Sequence, residues 1–244
     1  MMALLLTALA MIPGEDPVHQ GRPLPEWIKD LQADDETTIS RAVGALTAMG
    51  PAARPAVPAL VELAFDDRAD RELVKSLVRP ALRRIGLPRP EEVAGSLSSA
   101  QDLERRRLLR TLFLQAPECQ PVVKTLIGEI RRTGSEPIAG QCRMLAAATL
   151  RRVGPTALPE VIAAGGQASS SATQRDFSTV ISLFGEAAIP ELLRQADNSP
   201  ESTRLFALRS LGDLGIRGVS ALPALRDLES GPLSKPARQA RLAI

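Results

Sequence analysis

The sequence predicts an all-α fold in which antiparallel helix pairs repeat along the chain. Two observations predict it. The stretch GPAARPAVPALVEL, from Gly50 to Leu63, sets Pro51, Pro55 and Pro58 behind a glycine in otherwise helix-forming sequence. Proline fixes φ and lacks an amide donor, so it suits a turn or the opening of a helix and is costly further in. Gly50 therefore ends one helix, and the prolines start a second, antiparallel one over Ala56 to Phe65. The second observation is recurrence. Gly50, Gly86, Ala116 (before Pro117), Gly154, Gly185 and Gly215 stand at intervals of 36, 30, 38, 31 and 30 residues. A mean spacing of about 33 residues is the signature of a helical array.

The elements follow in order. Residues 1–20 form an apolar N-terminal segment, with an uncharged run from Ala3 to Ile12 and a small-x-small triplet at Ala8-Leu9-Ala10. The run is too short to span a bilayer. It has the apolar core and a possible cleavage site of a secretory signal, without a Lys or Arg before it. Export and a cytoplasmic chain with an apolar start both stay open. A short capping helix follows at about 24–33, carrying Trp27. Repeats are expected at about 36–66, 69–98, 100–132, 138–168, 171–196 and 200–229, with a terminal helix at 234–244. Pro58, Pro159, Pro190 and Pro223 open second helices. GGQASSSATQ, Gly165 to Gln174, is the most linker-like segment and reads as a lengthened, flexible turn inside the continuing period.

Composition agrees with close-packed helices. Hydrophobic residues make up 44% of the chain and charged residues 24%, enough for a sizeable core, while aromatics are 2%, with no Tyr. So few rings leave no stacking platform for single-stranded nucleic acid. A net charge of +2 gives no strong electrostatic address. Arg83-Arg84, Arg131-Arg132 and Arg151-Arg152 fall in the last turns of expected helices, where cations complement the helix dipole. Cys119 and Cys142 are expected about a helix length apart and so to be free thiols, because a disulfide needs Cα atoms within about 7 Å.

A second recurring feature is an acidic loop followed by an arginine in the next helix. Asp34 to Arg41 and Asp197 to Arg204 share one seven-residue offset, and Asp67 with Arg71 keeps the order. Such an aspartate can cap its helix and face an arginine of its own or a neighbouring repeat.

The residues around these marks, GRPLPEWIKDLQADDETTISRAVGALTAMGPAARPAVPAL above all, resemble the bacterial HEAT-repeat family, α-solenoids of the armadillo type. The resemblance covers about Gly21 to the C-terminus. It implies an α-solenoid of about six antiparallel helix pairs with short capping helices, second helices lining a concave face, and an Asp/Arg ladder matched here by Asp34, Arg41, Asp197 and Arg204. It also implies that Pro80 bends the first helix of the second repeat.

Catalytic chemistry has little to draw on. His19 is the only histidine and precedes the repeats, GPAARPAV and GGQASSSA lack the spacing and lysine of a phosphate loop, and neither cysteine has a nearby histidine. Glu91-Glu92 suits a helix N-terminus. No catalytic residue, cofactor or metal site is assigned. The expected function is a non-enzymatic scaffold or adaptor that binds a protein partner through the concave face, where Glu62, Phe65, Lys124, Glu129, Arg194 and Arg226 are candidates. Phe113, Phe177 and Phe206 are expected in the core. The alternatives are nucleic-acid backbone binding by an arginine-rich face and a lyase-like enzyme.

Overall fold

The computed structural model describes residues 16–66, 72–132, 137–231 and 233–244. The apolar run Ala3–Ile12, and Asp67 with Arg71, lie outside the described residues. Among the described residues the fold is helical apart from one short hairpin. The chain divides into two compact units, Met1–Leu87 and Pro88–Ile244. No boundary falls at Gly165 to Gln174.

The first unit opens with a hairpin that the sequence reading did not foresee. Strands β1 (Val18–His19) and β2 (Arg22–Pro23) pair antiparallel through Gln20 and Gly21, at φ 52° and 75°. Left-handed conformation at both central residues is what lets a two-residue turn follow the twist of the strands. Helix α1 (Leu24–Asp30) follows, with Pro25 in its first turn. Trp27 of α1 is buried, donates from Nε1 to the His19 carbonyl at 3.3 Å, and lies 4.2 Å beneath the Arg22 guanidinium. Arg22 also reaches Glu26 at 3.1 Å and Asp30 at 2.9 Å, which ties the hairpin to the helix.

Helix α2 (Glu36–Met49) ends at Gly50, φ 58°; a 3-10 turn over Gly50–Ala56 leads into α3 (Val57–Ala64). Helix α4 (Glu72–Ile85) packs against both and contains Pro80. Ile39, Val43, Leu46, Leu60, Val61, Val78, Leu82 and Ile85 form the core between them.

The second unit repeats this construction. Its first helices are α6 (Asp102–Gln115), α8 (Pro137–Val153), α10 (Ser171–Ser182), α12 (Glu201–Asp213) and α14 (Ser234–Ala243); α5 (Pro90–Leu97), α7 (Val123–Arg131), α9 (Leu158–Gly166), α11 (Ile189–Asn198) and α13 (Leu222–Leu228) are the second helices. Helix α6 lies against α8, and α12 against α14 and α9.

A short motif builds most of the turns. In Ala56-Val57-Pro58, Ala157-Leu158-Pro159, Ala188-Ile189-Pro190 and Ala221-Leu222-Pro223 the alanine is fully buried at the end of a 3-10 turn, and proline sits in the first turn of the following helix. No side-chain cap is present, because the 3-10 turn runs directly into the helix and proline needs no acceptor. Gly154, Gly185 and Gly215 precede these turns with φ of 96°, 57° and 54°. An L side chain there is strained, which is why glycine recurs. Ala116 differs: its φ is −59° and a cis peptide joins it to Pro117, so this turn uses no left-handed residue.

Only four residues of the stretch read as a flexible turn lie outside helices. Gly165 and Gly166 are the buried last residues of α9, and α10 begins after a four-residue connection whose Ser170 caps it, accepting from the Thr173 amide at 3.1 Å. A Cβ at Gly165 would stand 2.2 Å from Phe206 Cε1, and one at Gly166 only 2.5 Å from Thr203 Cα. The glycines let α9 approach the backbone of α12, so composition that reads as a linker serves close packing instead.

Candidate interaction surface

The predicted ladder residues are placed differently from the capping role expected of them. Asp35, not Asp34, is the N-cap of α2; its carboxylate accepts from the Thr38 amide at 2.7 Å, and that bond holds its pKa below the ordinary value. Arg41 is exposed on α2. Asp197 lies inside α11 and accepts from Asn198, while Pro200 occupies the N-cap of α12. Arg204 is half-buried with Nε lacking a partner. Among the described residues no hydrogen bond or ion pair joins Asp34 to Arg41 or Asp197 to Arg204.

Glu129, expected on a groove, is buried instead. Its Oε1 accepts from Arg105 Nη1 at 2.6 Å across 24 residues of sequence, and Arg105 Nη2 donates to the Ala100 carbonyl at 2.7 Å. Arg105 is 3% exposed and Glu129 7%. Arg105 Nε and Glu129 Oε2 stay without partners, so this is a structural tie between α6 and α7 that tolerates no loss of either half.

Other arginines also have carboxylate partners nearby. Arg89 pairs with Glu92 at 2.7 Å, Arg194 with Glu191 at 2.6 Å, and Arg241 with Glu229 at 2.5 Å. Arg194 also holds the Glu191 carboxyl below its ordinary pKa. Arg131 donates to the Ala164 carbonyl and lies 5.8 Å from the Phe177 ring, and Phe177 and Phe206 are core residues. Both cysteines are free and buried. Burial, with nearby carboxylates adding to it, pushes Cys119 up to about 12 and Cys142 in the same direction, so neither is a thiolate at neutral pH. Among the described residues no three His, Cys, Asp or Glu side chains converge as a metal site.

Two surfaces in the second unit stand out. On the second helices Lys124 (α7), Arg194 (α11) and Arg226 (α13) are exposed, beside Asp197 and Asp227. On the first helices, Leu103 and Arg106 share one face of α6 and Phe113 continues it; Gln141, Met144, Arg151 and Arg152 line one face of α8, by the i, i+3, i+7 spacing that brings helical residues together. Two contacts lay these rows side by side. Arg106 Nη1 donates to Gln141 Oε1 at 3.2 Å, and the Arg152 guanidinium lies 4.5 Å over the Phe113 ring. Leu103 is 61% exposed and Met144 74%.

No family model matches the chain, and no curated protein matches it. Among the described residues no helix is long and apolar enough to cross a membrane.

Proposed function

We propose that the chain is a HEAT-like α-solenoid acting as a non-enzymatic adaptor, which binds a protein partner through the face of its second helices, the concave side of such an array. The observation that carries this reading is the reuse of one building block: glycine at positive φ, a 3-10 turn over a buried alanine, and a proline-opened helix, at Gly50, Gly154, Gly185 and Gly215. Each unit of a helical array contacts its neighbours alone, so repetition yields an extended surface. The exposed Lys124, Arg194 and Arg226 on α7, α11 and α13 supply polar contacts on that face.

Affinity capture of the tagged full-length protein from its native cells, washed at moderate salt, tests the reading. One protein recovered near stoichiometry supports it. Recovery of salt-labile nucleic acid alone, or of nothing, overturns it.

A further inference from the structure

We draw no further inference here: the strongest candidate, the α6–α8 surface patch on which Leu103 and Met144 are exposed beside Arg106 and Arg152, carries nothing because nothing in the structure shows what covers it.

Discussion

Replacing Gly166 by alanine should destabilise the protein, against the general rule for helical glycines. In a helix interior Gly→Ala ordinarily stabilises by about 0.5–1 kcal/mol, because glycine loses more backbone entropy on folding. Gly166 closes α9, and a Cβ there would lie 2.5 Å from Thr203 Cα and 2.6 Å from its Oγ1. The nearest of these atoms is backbone in the first turn of α12, so the end of α9 must move away from α12. Forcing a methyl group into such a contact costs about 1–3 kcal/mol, which outweighs the propensity gain. The net loss is about 1–2 kcal/mol, a fall of roughly 2–8 °C in the thermal midpoint for a chain of this size. Gly128 is the internal control: it lies in α7, is exposed, and has nothing within 4 Å of a built Cβ. Gly128→Ala should raise the midpoint. Thermal and urea denaturation of both variants, followed by circular dichroism, decide the matter. If Gly166→Ala matched Gly128→Ala in sign, the close approach of α9 to α12 would be refuted.

Further outcomes follow from the same geometry. Glu129→Leu or Arg105→Met alone should cost about 3–5 kcal/mol in urea unfolding, since each leaves a buried charge unpaired, whereas the double variant should recover most of that loss; equal losses in all three would argue against a direct pair. Gly154→Ala, at φ 96°, should cost about 1–3 kcal/mol from backbone strain alone, while Ala at the unstrained Gly140 of α8 should not destabilise. The folded pKa of Asp35 is depressed by the Thr38 amide, so its stabilising contribution is complete above the unfolded value near about 3.9 and is lost as pH falls through the folded one. The midpoint difference between wild type and Asp35→Ala should therefore shrink between pH 6 and about pH 2. Cys119 and Cys142 should resist a thiol reagent at pH 8 in the native state and react fully in urea; fast labelling of the folded protein would contradict their burial.

What the sequence made legible is local chemistry, and what it hid depends on distance. Gly50, Gly86, Gly154, Gly185 and Gly215 could be picked out because positive φ excludes other residues, and all five adopt it. The starts of the second helices were readable from proline for a similar reason. Ala116 ends its helix as read, although an extended residue before Pro117 turns the chain there without a left-handed position. The Val18–Pro23 hairpin was missed because its strands are two residues long and show no alternation; Gly21 was its one signal. Gly165-Gly166 looked like a linker because composition does not reveal that Thr203 and Phe206 lie against it. The Arg105–Glu129 tie spans 24 residues, and the i, i+4 arithmetic of one helix gives no access to a partner on another.

The central claim is that the second-helix face binds a protein partner. Its most direct test is to repeat the affinity capture side by side with wild type and with Lys124→Glu/Arg194→Glu/Arg226→Glu, all three sites being exposed so that the fold is retained. The account predicts a stoichiometric partner with wild type that is lost with the triple variant. Capture of the same partner at undiminished yield by the triple variant would contradict it.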